Sequence, residues 1–514
     1  MKALAVTAAL VAAVLASSAA AADRVGTARS EVLRGTARAD FLDPRNGRDR
    51  VRAGSGADRI KAFDGFIDDI RCGPGADVVA ADLRDRVGAD CETVSRRLAT
   101  DPLRNAPFVH ATHVEPDSLS FGNTIVALYQ VGRAPGSAGG AAAVNGWSTS
   151  QNGGRTWRSG LLPSLTRSSR PAGRWQRASD PVVAYSARYG VWLASSLVVS
   201  PEVESGLTVN RSPNGVAWSA PIVTTEARGD LSVDKQWLVC DNWPQSPHYG
   251  NCYHAYTDVA RRNRISVQTS RDGGLTWSAP IGSPDSAGSE NRRESPGVQP
   301  IVRPDGTLHV IYLSDTRISQ IVSRDGGATL SASQLVAPAN PVTTPRFRAF
   351  SLPVVDVGPQ GTIYVSWMDC TFRSNCAQEG ADLAFVSGDG TNWRPPTRVP
   401  AGAPTVGTFY TLPGLAADPS RPARLALAYY RLRGEAIDAF FVSSATNGAR
   451  WTSPRRLTPQ SLRRAWMPDT QYGPMVADYI STSYVNGRPI PILIIAGTPR
   501  GRLLDQSVFA ALVR

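Results

Sequence analysis

The sequence predicts an all-β protein: a β-propeller of seven blades, or alternatively six, preceded by a short Gly/Asp-rich β-roll. Three observations predict it. A Ser-x-Asp/Asn-x-Gly-x-Thr-Trp motif recurs in six related copies between residues 150 and 451. An x-Pro-like step ahead of an apolar strand recurs seven times, six of them with the proline. A nine-residue Gly/Asp period runs through residues 34–92. Composition agrees, because 46 Gly and 38 Pro in 514 residues punctuate many short strands rather than long helices. With 42% hydrophobic residues there is enough apolar material for a large core, which excludes a disordered chain.

The chain opens with Lys2 and an apolar run from Ala3 to Leu15, followed by small residues to Ala22. This reads as a secretory signal peptide over residues 1–22. The run is too short to span a membrane. The next most apolar run, Ile490–Ala496, has the length of a strand, so no membrane span is expected. The expected product is secreted. In an oxidising compartment the six cysteines pair locally, as Cys72 with Cys91, Cys240 with Cys252 and Cys370 with Cys376.

Residues 34–94 form the predicted roll. Asp40, Asp49, Asp58, Asp68, Asp77 and Asp85 lie 9, 9, 10, 9 and 8 residues apart. Each is followed two residues later by an apolar side chain: Leu42, Val51, Ile60, Ile70, Val79 and Val87. The best copies, AGSGADRIK (Ala53–Lys61) and CGPGADVVA (Cys72–Ala80), resemble the hemolysin-type (RTX-like) repeat. That resemblance implies calcium held by turn carbonyls and by Asp40, Asp49, Asp58, Asp68 and Asp77. Several rungs lack the paired glycines, and Arg follows Asp at Arg50, Arg59 and Arg86. The alternative is therefore a small solenoid stapled by Cys72–Cys91, with Arg–Asp pairs in place of metal. Residues 95–106 read as a linker.

Residues 107–514 form the predicted propeller. SQNGGRTW (Ser150–Trp157) and SRDGGLTW (Ser270–Trp277) are its best turn motifs. Asp or Asn opens such a turn by bonding its own backbone, and Trp folds back beneath it. Asp272 and Asp325 are therefore turn formers rather than catalysts. The motif resembles the Asp box, or BNR repeat, of the sialidase superfamily. The x-Pro steps fall at Glu115, Asp180, Asp234, Gln299, Leu352, Leu412 and Gly473, with Lys235 in place of Pro after Asp234. Strands beginning at these steps bring Asp117, Asp180, Asp234 and Tyr472 toward one pocket as candidate catalytic residues, with Glu115 and Asp478 nearby. Arg346 and Arg348, and Arg292, Arg293 and Glu294, are possible loop contributors.

The resemblance implies a kit of three arginines, a Tyr–Glu pair and an acid. The expected Arg-Ile-Pro motif is absent from Leu103–Pro116, so no family residue is carried over. HExxH, GxSxG and dinucleotide-binding fingerprints are absent too. His110 and His113 lie three apart on one strand, which is poor metal geometry. The net charge of +12 comes with only three lysines, and no Arg-rich block or basic helix gathers it, so no specific nucleic-acid partner is expected. Two functions are open: recognition of an extracellular glycan or protein ligand, and exo-alpha-sialidase-type hydrolysis of a terminal sialic acid. A polyanion binder using the arginine surplus is a third. No oligomeric state is implied.

Overall fold

The computed structural model describes residues 21–136, 140–200, 205–227, 232–289, 297–501 and 503–514. Residues 1–20 of the expected signal peptide lie outside these, as do Arg292, Arg293 and Glu294.

Nine short strands follow one another in the N-terminal hundred residues. They are β1 (Asp23–Val25), β2 (Val32–Arg34), β3 (Phe41–Asp43), β4 (Arg50–Arg52), β5 (Arg59–Ala62), β6 (Asp69–Arg71), β7 (Val78–Asp82), β8 (Arg86–Val87) and β9 (Thr93–Arg97). Odd strands stack on odd strands and even on even, all parallel and in register: Phe41 pairs with Asp23 and Arg59 with Phe41. The nine-residue period produces this directly. Each period supplies one turn and one strand, so two periods complete a coil. The apolar residue of each rung points inward, where Leu42, Val51, Ile60, Ile70 and Val79 are fully buried. Turns stack so closely that a Cβ on Gly73 (φ +88°) would lie 1.9 Å from the Gly54 carbonyl oxygen. Cys72 and Cys91 are bonded within this core.

The rest of the chain is antiparallel. β10 (Val109–Phe121), β11 (Thr124–Arg133), β12 (Ala142–Ser150) and β13 (Arg158–Leu161) form one meander. β14 (Arg177–Ser186), β15 (Val191–Val199), β16 (Gly206–Ser212) and β17 (Ile222–Glu226) form the next. β18 (Val233–Cys240), β19 (Cys252–Asp258) and β20 (Arg264–Ser270) belong to a third. Similar units follow to the last strand, Gln506–Val513. Cys240–Cys252 and Cys370–Cys376 are bonded as expected.

The expectation of a propeller, with seven blades or six, and a separate roll is corrected. The chain is all-β, but its regular architecture is a β-solenoid of about four turns, not a propeller with a roll. Backbone pairing also crosses the boundaries on which a count of independent blades depends. β9 pairs with the last strand (Phe509 with Arg97), which in turn meets β10 (Thr112 with Gln506). Ala142 of β12 pairs with Ala178 of β14, and Gly380 with Thr408. One sixteen-stranded sheet thus runs from the solenoid into the meanders, and another holds nine strands. The sequence repeats count hairpin units, whereas the sheets are set by long-range pairing that no local motif encodes. Packing crosses the same joint: Phe63 of the solenoid meets Phe509 edge-on, with ring centroids 5.2 Å apart, and Arg97 pairs with Asp505 at 3.6 Å.

Candidate functional site

The recurring Ser-x-Asp turns are structural. Asp272 Oδ1 accepts the backbone N–H groups of Leu275 and Thr276 at 3.0 Å each, and Asp325 does the same for Ala328 and Thr329. Trp157 and Trp218 each donate Nε1–H to a glycine carbonyl of their own turn at 3.1 Å. These carboxylates are occupied in holding turns.

Four of the seven steps are bulges. Pairing shifts register between Val114 and Asp117, between Ser179 and Val182, between Asp234 and Trp237, and between Thr411 and Gly414. At the centre of each bulge one non-glycine residue has positive φ: Glu115 (+52°), Asp180 (+41°), Lys235 (+47°) and Leu412 (+51°). Such conformations cost about 1–3 kcal/mol each and collect at functional sites. The bulge fixes the position in the third unit equivalent to Glu115 and Asp180. It is Lys235, with Asp234 one residue before it, equivalent to Ser179.

Two of these bulges, at Asp180 and Lys235, converge on a cavity of about 830 Å³. Its charged lining is Arg133, Asp180, Asp234, Lys235, Arg348 and Asp478, with Tyr472 and Phe350 as aromatic walls. Of the four sequence candidates, Asp180, Asp234 and Tyr472 line it. Asp117 does not; it is buried behind the wall, where its Oδ2 accepts Val183 N–H at 2.9 Å and ties β10 to β14. Burial pushes the Asp117 carboxyl up to about 7. Arg348, read as a possible loop contributor, makes a two-pronged ion pair with Asp478. Burial pushes Asp478 up, but this guanidinium holds it below the usual carboxylate range. The Arg348 guanidinium also lies 5.5 Å from the Tyr472 ring centroid.

Lys235 and Arg133 did not emerge from the sequence as site residues. The available signal was composition: Lys235 is the only lysine after position 61 in a chain that otherwise uses arginine. Its ammonium lies 3.6 Å from Asp180 Oδ1 and 3.6 Å from the Tyr479 ring centroid. The residue is 6% exposed, and Nζ has no hydrogen-bond partner. Arg133 donates to Gln130 Oε1 at 2.7 Å, while its Nε is buried without a partner. Gln130 in turn donates to Glu115, so that carboxyl faces the network rather than solvent. Burial, then the charges of Asp180 and Asp478, hold Glu115 well above the usual range. Burial and the Asp180 charge push Asp234 up to about 7. The cavity therefore holds the Arg133 guanidinium, the Arg348–Asp478 ion pair, an ammonium without a hydrogen bond that is ion-paired only with Asp180 at 3.6 Å, and in Asp234 one carboxyl that stays largely protonated below neutral pH.

The histidines are structural. His113 Nδ1 accepts Val508 N–H at 3.2 Å, and burial lowers its pKa to about 4. His110 Nδ1 bonds Asp101 at 2.8 Å.

In the solenoid, the aspartates expected to bind calcium are 2% exposed or less. They form two ladders. Asp58 Oδ1 accepts Asp40 N–H and Asp77 Oδ1 accepts Asp58 N–H, both at 2.7 Å. Asp49 Oδ1 accepts Glu31 N–H at 2.7 Å, and Asp68 Oδ1 accepts Asp49 N–H at 2.8 Å. Asp40 accepts Ala22 N–H in the same way. One oxygen of each carboxylate is thus used to cap the coil below. The second oxygen of Asp49, Asp58, Asp68 and Asp77 is buried with no partner, and such orphans fit a hard cation. Among the described residues no group of three or more His, Cys, Asp or Glu converges on a metal position. A calcium ion would thus take most of its oxygens from the turn carbonyls.

No protein-family model matches the chain, and no curated protein does. Among solved structures the neighbours include sialidases. The intramolecular trans-sialidase of Ruminococcus gnavus is 13% identical with a TM-score of 0.42, covering 65% of this chain and 93% of that one. A Trypanosoma rangeli sialidase is 14% identical with a TM-score of 0.44, covering 68% of this chain and 57% of that one. A family PL25 ulvan lyase is 11% identical with a TM-score of 0.45, covering 81% and 95%. Likenesses this remote decide nothing about the chemistry of this chain. Among the described residues no helix is long and apolar enough to cross a membrane.

Proposed function

We propose that the chain is an exported protein that recognises the acidic end of an extracellular glycan in the 830 Å³ cavity. The observation that carries this reading is Lys235. Its buried ammonium has no hydrogen bond, and its ion-pair partner Asp180 stands 3.6 Å away, so an arriving anionic group would supply the hydrogen bond that is missing. Arg133 adds a second cation, suited to a carboxylate, and Tyr472 and Phe350 offer apolar faces for a sugar ring. Three disulfides suit an oxidising compartment. Calcium is proposed as a stabiliser of the solenoid, held by the orphaned oxygens of Asp49, Asp58, Asp68 and Asp77. The test is calorimetric titration with sialyllactose and with galacturonate oligomers, against neutral lactose as control. Binding of an acidic sugar but not of lactose supports the reading; equal or absent binding overturns it.

A second reading, glycoside hydrolysis, is favoured by Asp234. A carboxyl held at about 7 beside Asp180 is matched to proton donation at a glycosidic oxygen. Release of a fluorogenic sialoside by the purified protein, lost in Asp234→Asn, would establish it. No turnover alongside retained binding leaves recognition as the function.

A further inference from the structure

The even strands of the solenoid carry an arginine array that neither the cavity nor the core uses. Their inward residues, Leu33, Val51 and Ile70, fill the core, and the flanking residues point outward. Register aligns those outward residues in two columns. One column runs Val32, Arg50, Asp69, Arg86, and the other runs Arg34, Arg52, Arg71. Successive rungs of a parallel sheet are about 4.8 Å apart. Three arginines therefore leave the sheet from positions directly above one another, and like charges so placed repel.

One carboxylate answers five arginines. Asp69 pairs with Arg52 at 2.8 Å and with Arg71 at 3.5 Å. Among the described residues Arg34, Arg50 and Arg86 have no ion-pair partner, and all three are exposed. The odd-strand face differs, since its Lys61 is neutralised by Asp43 at 3.1 Å. The core and the ladder hydrogen bonds require only the inward residues and the backbone. Scattered surface charge would not line up in two registered columns on one face.

We propose that this face binds a linear anionic polysaccharide running along the solenoid axis, each carboxylate or sulfate gripped by guanidinium groups of successive rungs. Guanidinium is the side chain best matched to such planar anions. No aromatic residue lies on the outward positions of β2, β4, β6 or β8, so nucleic-acid bases have nothing to stack on. Val32 is the one apolar outward residue, too little to insert into a lipid surface. The site is independent of the cavity.

The test uses the full chain with alginate as the probe and neutral dextran as control, at low and at moderate salt. Alginate is expected to bind, more weakly as salt rises, and dextran not to bind. The variant Arg34→Ser/Arg50→Ser/Arg71→Ser/Arg86→Ser is expected to lose at least tenfold in affinity with an unchanged melting temperature. The exposed set Arg158→Ser/Arg394→Ser/Arg433→Ser/Arg450→Ser removes the same charge from the meanders and is expected to change affinity less than twofold. Saturating sialyllactose, the short acidic sugar assigned to the cavity, is expected to leave alginate binding within twofold, which separates this site from the cavity. Equal losses in both quadruple variants, displacement of alginate by sialyllactose, absence of alginate binding, or tighter binding of duplex DNA or phosphatidylglycerol vesicles than of alginate would each overturn the proposal.

Discussion

Lys235 combines a left-handed backbone (φ +47°) with an ammonium that is buried and has no hydrogen bond. The backbone strain is the same for Met, whereas the buried ammonium without a hydrogen bond costs stability, so Lys235→Met is expected to leave the denaturation midpoint unchanged or raised. It is also expected to weaken binding of an acidic sugar by at least tenfold, read by calorimetry. A fall in both quantities would instead make Lys235 a structural residue. Asp234 sets the pH dependence of the same cavity. Its pKa is raised to about 7, so the carboxyl is neutral below that value and negative above it. Affinity for an anionic sugar is expected to fall as pH rises through 7, by several-fold between pH 6 and 8. Asp234→Asn, neutral throughout, is expected to remove that dependence; a pH profile identical to the parent's would assign it to another group. Asp180 and Asp234 were legible in the sequence because the x-Pro spacing marks the bulges. Lys235 was not, because proline is missing at its bulge and the repeat then aligns one residue early. Arg133 was hidden among 52 arginines, and only the fold selects those that reach the cavity.

At the scale of elements, the nine-residue period was readable because everything it encodes is local: a glycine turn, an inward apolar residue and an aspartate that caps the coil below. Its use of Asp Oδ1 for backbone capping was not readable, because the accepted N–H belongs to a residue 18 or 19 positions earlier in the chain. Asp58→Asn keeps an acceptor for Asp40 N–H but removes the charge that would hold a cation. With millimolar calcium the parent's melting temperature is expected to rise, and Asp58→Asn/Asp77→Asn is expected to lose most of that gain. A parent unmoved by calcium would favour a metal-free solenoid. Cys72–Cys91 closes a loop with a sequence separation of 19, and removing it by paired alanine substitution is expected to cost about 3 kcal/mol in denaturant unfolding. The Ser-x-Asp turns are equally local, which is why Asp272 and Asp325 could be read as turn formers from sequence alone.

At the scale of the whole molecule, the propeller-and-roll expectation treated two regions as separate because their sequence periods differ. The backbone joins them: Leu98 N–H donates to Val508 carbonyl at 2.9 Å, and Ser95 Oγ donates to Leu457 carbonyl at 3.0 Å. These contacts bridge about 360 to 410 residues of sequence, a distance over which no local pattern is informative. The largest apolar cluster is correspondingly continuous, with Phe63 and Leu98 in it alongside Ile495 and Phe509. This continuity has a measurable consequence. All twelve tryptophans lie between Trp147 and Trp466, so indole fluorescence reports the meanders and is blind to the solenoid. Phe63, 2% exposed, packs on Phe509 and lies beneath the Arg97 guanidinium, 5.7 Å from its ring centroid. Truncating a buried phenylalanine costs about 3–5 kcal/mol. If solenoid and meanders unfold as one unit, Phe63→Ala lowers the tryptophan-detected midpoint even though no tryptophan lies near the solenoid in sequence. An unchanged tryptophan midpoint, with a separate early transition seen by circular dichroism, would mean that the shared sheet does not couple the two regions.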